Sequence, residues 1–213
     1  MGATYFFRDL YTLKLIPSHV IPFILEERGE KNEINIWSAG CANGSEPYTV
    51  ALILKEALEE DIFGRINIYA TDIDPNFKFR EIVARGSYSG DRLKRIPDGT
   101  FRKYFTEDPD ISGNYMVSGD IRERVRYKWH DLNSMISPEN RKFDIIICKN
   151  VLIHFQKQNL IDILRMFHQV LDDEGFLITE QTQKIPSCMG DMFSQFIPSA
   201  QIHKKITPKN EEN

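Results

Sequence analysis

The chain has 213 residues, 41% hydrophobic and 27% charged, with a net charge of −4. That is a length and composition that suit one α/β domain with a filled core, and the mildly acidic balance argues against a broad nucleic-acid-binding surface. Cys41, Cys148 and Cys188 lack disulfide or metal-ligand spacing, and no apolar run approaches the roughly 20 residues of a membrane-spanning helix, so a cytoplasmic protein without a metal is expected.

Bulky and charged groups crowd the start of the chain in Thr4-Tyr5-Phe6-Phe7-Arg8-Asp9. Such a segment either follows a lost element or docks on the domain. Leu13, Ile16, Val20, Ile21, Ile24 and Leu25 recur at near-helical spacing, and Pro17 and Pro22 restrict the expected helix to residues 17–28. Residues 29–32 form a polar turn. Ile34-Asn35-Ile36-Trp37-Ser38-Ala39 has strand character, breaks at Gly40 and Gly44, and restarts as a helix from Tyr48.

Residues 65–71 alternate as a second strand, ending in Asp72-Ile73-Asp74-Pro75. Residues 86–124 are polar but keep aromatics, and an inserted antiparallel β element is expected there at about 100–124. Residues 125–132 return to alternation, and Phe143-Asp144-Ile145-Ile146-Ile147-Cys148 is a buried-type strand. Leu160, Ile161, Leu164, Phe167, Val170 and Leu171 mark a helix closed by Asp172-Asp173-Glu174-Gly175, before a strand at 176–179. The alternation predicts a doubly wound, mainly parallel, Rossmann-like sheet with a small inserted β subdomain. The expected division is an N-terminal segment at 1–28 docking on the site, the main domain at 29–208 and a polar tail at 209–213.

In such a sheet, ligands bind at the carboxyl ends of the strands. Gly40 to Glu46, Asp72, Asp131 and Asn150 each fall just after a predicted strand, so they converge on one rim. Each also has a plain structural reading: glycine turns are common, Asp72 and Asp131 could be caps, and Asn150 could hold a loop. The turn Gly40-x-x-x-Gly44 lacks dinucleotide spacing, and Glu46 would repel a pyrophosphate. A carboxylate in that cradle suits a cofactor with a cationic end, such as S-adenosylmethionine, with Asp72 accepting its ribose hydroxyls.

Three stretches then carry a resemblance: residues 37–49 (Trp-Ser-Ala-Gly-Cys-Ala-Asn-Gly-Ser-Glu-Pro-Tyr-Thr), Ala70-Thr71-Asp72-Ile73-Asp74, and residues 148–155 (Cys-Lys-Asn-Val-Leu-Ile-His-Phe). Together with Thr4-Tyr5-Phe6-Phe7-Arg8, they resemble the CheR-type chemotaxis receptor methyltransferases over about residues 3–180. The resemblance implies methyl transfer from S-adenosylmethionine, leaving S-adenosylhomocysteine, to glutamates on the cytoplasmic helices of chemoreceptors. It implies cofactor contacts from Thr4, Arg8, Gly40, Gly44, Glu46, Asp72, Asp131, Leu132, Asn150 and Val151. Arg8 and His154 are the implied catalytic residues. The alternatives are methylation of another carboxylate or small molecule, or a catalytically weakened cofactor-binding signalling module.

The sequence departs from the family pattern at several places. Asp131 replaces an asparagine, Ser45 a second glutamate, Lys149 an arginine and His154 a tyrosine. Residues 180–184 also differ. The family's N-terminal helical domain has no counterpart before Thr4, which reads as a fragment or as a different mode of substrate recognition. The inserted region matches a small β subdomain that docks receptor tails in some members.

Overall fold

The computed structural model describes residues 4–29 and 32–207; the expected tail at 209–213 and the middle of the turn at 29–32 lie outside the described residues. Among the described residues there are ten strands: β1 (Ile34–Ala39), β2 (Ile66–Asp72), β3 (Ser87–Ser89), β4 (Phe105–Glu107), β5 (Asn114–Val117), β6 (Val125–Trp129), β7 (Phe143–Cys148), β8 (Leu171–Thr179), β9 (Phe193–Ile197) and β10 (Ile202–Lys205). Seven form one sheet in the order β6-β2-β1-β7-β8-β10-β9. Strands β6, β2, β1, β7 and β8 are mutually parallel, and β10 pairs antiparallel with β8 and β9. The expected doubly wound, mainly parallel sheet is therefore present, and the chain reverses direction across the sheet at β1 and β7.

Period-two burial explains why the sheet is covered on both faces. Ile34, Ile36, Ile66, Ile68, Ile145 and Ile147 point into one core, and Trp37, Ala39, Tyr69, Ile146 and Cys148 into the other. The first core is roofed by α1 (Leu10–Leu15), α2 (Ile21–Arg28) and α3 (Ser45–Ala57). The short α4 (Glu60–Phe63) leads into β2, and α5 (Phe79–Arg85) follows it. No helix among the described residues is long and apolar enough to cross a membrane.

The elements depart from expectation in several places. The N-terminal helix starts at Leu10, not residue 17, because the segment from Ile16 to Val20 widens into a π turn in which Ile21 N–H reaches Ile16 O. Pro17 has no N–H for the carbonyl of Leu13, which instead accepts from Ile16, so the proline is accommodated without ending the helical run. Asp172 to Gly175 does not close a helix. The helix ends at Val170, and those residues bulge from β8, whose register jumps from Phe143↔Leu171 to Ile145↔Phe176. Lastly, β9 and β10 add an antiparallel edge that the alternation did not reveal.

The inserted unit carries α6 (Gly90–Leu93), α7 (Asp98–Tyr104) and α8 (Gly119–Arg122), with a three-stranded antiparallel sheet in the order β3-β5-β4. That sheet begins at Ser87, ahead of the expected start near residue 100. A three-residue strand is too short to show alternation in the sequence. The long helix α9 (Lys157–Val170) covers the second core.

Candidate active site

The turn after β1 is built for close approach. Gly40 N and Cys41 N both donate to Thr71 O at the end of β2, at 2.8 and 2.9 Å. Gly40 has φ +85°, and a Cβ there would overlap Cγ2 of Val151 from the loop after β7. Gly44, at φ +86°, caps α3, where a side chain would meet Val83 and Tyr88 at 2.7 and 2.9 Å. Gly40 therefore lets two strand ends meet, whereas Gly44 serves helix packing.

A cavity of about 510 Å³ opens at this rim. Thr4, Arg8, Gly40, Glu46, Asp72, Asp131, Leu132, Asn150, Val151 and His154 all line it, and Gly44 does not. Lys149, Tyr5, Asp9 and Trp129 line it as well. Sequence reasoning had not placed these four in the site. Lys149 was visible only as a departure from the family arginine, and Trp129 only as a residue within the expected strand at 125–132.

Glu46 Oε1 accepts from Ser38 Oγ at 2.9 Å. Its carboxyl is pushed up to about 7, mainly by removal from bulk water, while Lys149 and the Ser38 hydroxyl pull it down. Lys149 has a side chain only 2% exposed; its Nζ lies 3.4 Å from Asp9 Oδ2 and makes no hydrogen bond among the described residues. Asp72 accepts Ala42 N–H at 2.9 Å on one oxygen and Asp74 N–H at 3.0 Å on the other. The helix cap considered for Asp72 belongs instead to Asp74, which takes the N–H groups of Lys78, Phe79 and Arg80.

Asp131 accepts Asn133 N–H at 2.9 Å, so it does cap the short turn that follows while also lining the cavity. Beside it, Trp129 is 56% exposed and donates through Nε1 to Ile73 O at 2.7 Å. At the opposite end, Arg8 Nη2 donates to Asn150 Oδ1 at 2.7 Å. Asn150 sits at φ +60°, and its N–H donates to Glu180 Oε2 at 2.9 Å. Glu180 is buried, with Oε1 lacking any hydrogen-bond partner among the described residues. His154 is exposed, at the end of the short turn Leu152–His154 on the same rim.

The profile described as CheR methyltransferase, SAM binding domain, matches residues 2–200. This chain belongs to the CheR methyltransferase family. A Borreliella burgdorferi protein named chemotaxis protein methyltransferase is 31% identical over 85% of this chain and 64% of its own length. Vibrio cholerae chemotaxis protein methyltransferase 2 is 30% identical over 100% of this chain and 73% of its own length. The chain thus spans about two thirds of such CheR relatives. Among solved structures, the rRNA methyltransferase aviRa of Streptomyces viridochromogenes superposes with a TM-score of 0.52 at 12% identity, covering 90% of this chain and 84% of that one. That likeness is one of fold.

The cofactor of this family is S-adenosylmethionine, and the CheR-type cavity fits it on chemical grounds. Glu46 and the buried Lys149 Nζ, which is ion-paired with Asp9 but makes no hydrogen bond among the described residues, give one end paired charges for an amino-acid zwitterion. Asp72 retains lone pairs for a diol. Trp129 and Leu132 supply apolar surface for a purine at the far end.

Proposed function

We propose that this chain transfers a methyl group from S-adenosylmethionine to glutamate side chains on the cytoplasmic helices of chemoreceptors, acting in the cytoplasm. One observation carries the reading: the Arg8 guanidinium, tied to Asn150 at 2.7 Å, faces the same cavity as Glu46 and Asp72. A cation at the rim receives an anionic acceptor, while the acids behind it hold a cationic cofactor. The relatives' names support the chemotaxis setting.

When bound, S-adenosylmethionine supplies a methyl group on a cationic sulfur. Glu46 would hold the amino group, Lys149 the carboxylate and Asp72 the ribose hydroxyls. Asp131, Leu132 and Trp129 would flank the adenine. A substrate glutamate has a pKa of about 4.3 and is already an anion at neutral pH, so no general base is required. The remaining work is in-line placement and exclusion of water. Arg8 would orient the carboxylate through its planar donor fork. Thr4, Tyr5 and Asp9 wall the cavity beside it. His154 can donate a hydrogen bond from the rim.

Calorimetry with S-adenosylhomocysteine tests the site, and mass spectrometry of a receptor fragment incubated with labelled cofactor tests the product. Micromolar binding that Asp72→Ala weakens at least about 30-fold, on the scale of charge-assisted hydrogen bonds, is expected. A methyl ester on glutamate is the expected product. Binding without any ester would leave a cofactor-binding domain but remove the protein-glutamate reading.

A further inference from the structure

Tyr5 sits in the cavity wall with two guanidinium groups near its ring. Arg95 Cζ lies 3.7 Å from the ring centroid, at stacking distance, and Arg8 Cζ lies 5.6 Å from it. Arg95 follows α6 and is exposed to solvent. Its neighbour Lys94 is paired with Asp91 at 2.7 Å. Arg28, Arg85 and Arg165 also hold carboxylates, but among the described residues Arg95 forms no ion pair.

Stacking on an aromatic face fixes the plane of a guanidinium while its N–H fork points outward. Arg95 is therefore an oriented donor set without an anion among the described residues, beside a site whose acceptor is read as a carboxylate. The molecule is acidic overall, and Asp108 and Asp110 are taken up by Arg85, so Arg95 is not one more charge in a uniformly basic surface. Arg8 and Arg95 share one ring, which suits side chains one turn apart on a helix, where Cβ atoms lie about 5–6 Å from each other.

We propose that Arg95, held on Tyr5 at the cavity mouth, is a second carboxylate receptor that selects helical substrates carrying another acid one turn from the methylated glutamate. This rests on the protein-glutamate reading above. Arg8 takes the acceptor, and Arg95 sets which acceptors are presented.

The test uses the full chain, S-adenosylmethionine and alanine-rich helical peptides bearing one acceptor glutamate. One peptide carries a second glutamate four residues away and another carries glutamine there. A third places the second glutamate two residues away, off the acceptor's face. Methyl-ester formation should favour the first peptide about three- to fivefold in kcat/KM, mostly through KM, as for a solvent-exposed pair. Arg95→Glu should reverse the preference toward a peptide with lysine at the fourth residue, which mere loss of packing on Tyr5 would not do. Esters formed without preference, or with the preference intact in Arg95→Glu, overturn this inference and leave methyl transfer standing. If S-adenosylhomocysteine binds but no peptide is methylated, and fluorescently labelled peptides do not bind the loaded protein, the glutamate reading falls and this inference with it.

Discussion

At Glu46, loss of bulk water raises the carboxyl from 4.5 to about 7, against the pull of Lys149 and Ser38. A folded-state pKa above the unfolded value means that its stability contribution is present below about 4.5 and is lost as pH rises through 7. The ligand reverses that preference, because an ammonium group needs the carboxylate ionised. Affinity for S-adenosylhomocysteine should fall about tenfold as pH drops from 8 to 6. In Glu46→Gln it should be weaker and flat over that range, as calorimetry in buffers of matched ionic strength would show. Glu46, Asp72 and Asn150 were legible in the sequence because strand-end phase alone brings them to one rim. Glu180 was not, since its partner is the Asn150 amide, 30 residues away. It holds that amide while Asn150 bends to φ +60° and offers Oδ1 to Arg8. Glu180→Ala should cut kcat/KM about 10- to 100-fold, the scale of a hydrogen bond to a charged group, with a smaller change in cofactor affinity. Glu180→Gln, which keeps an acceptor oxygen, should recover most of the loss.

Among elements, the parallel strands β1, β2 and β7 were readable because their apolar residues are bounded by turn residues. In the segment from Leu10 to Arg28 the helix expected at 17–28 was legible but the turns from Leu10 to Leu15 were not, because Pro17 reads as a helix start unless the π turn that accommodates it is known. Strands β9 and β10 escaped as well. Burial does not alternate along either: β9 is buried only at Phe193, whereas β10 is buried at three of its four positions, two of them polar or charged (His203 and Lys205), so neither shows a period-two pattern. The junction of β1 and β7 has a consequence that can be measured. A methyl group at Gly40 would overlap Val151 in a left-handed backbone. Gly40→Ala should destabilise the fold by about 1–3 kcal/mol, the usual cost of overpacking, and weaken cofactor binding as the two strand ends part. Adding Val151→Ala removes the overlap but not the backbone strain, so the double variant should recover only part of the stability in urea unfolding.

For the molecule as a whole, the question is how the inserted sheet is fastened to the large one. Asp108 is the fastening point, with its side chain fully buried. It accepts Arg85 Nε at 3.0 Å and Nη2 at 2.7 Å, Ser87 Oγ at 2.5 Å, and Asp110 N–H at 2.9 Å. Arg85 ends α5 on the main domain, whereas Ser87 opens β3, so one carboxylate ties the two units together. The Arg85 guanidinium, and next the Ser87 hydroxyl, hold the Asp108 carboxyl far below the ordinary carboxylate range. Because the folded value is depressed, this contribution is present above the unfolded value of 3.8 and is lost as pH falls below it toward the folded one. At neutral pH the fastening stays closed, so only mutation opens it. Asp108→Asn keeps the shape but removes the charge that the bidentate arginine needs. Amides of β3, β4 and β5 should then exchange several-fold faster, while those of β1, β2 and β7 stay protected and S-adenosylhomocysteine binds as before. Exchange accelerated equally across both sheets would instead mean that the two open as one cooperative unit.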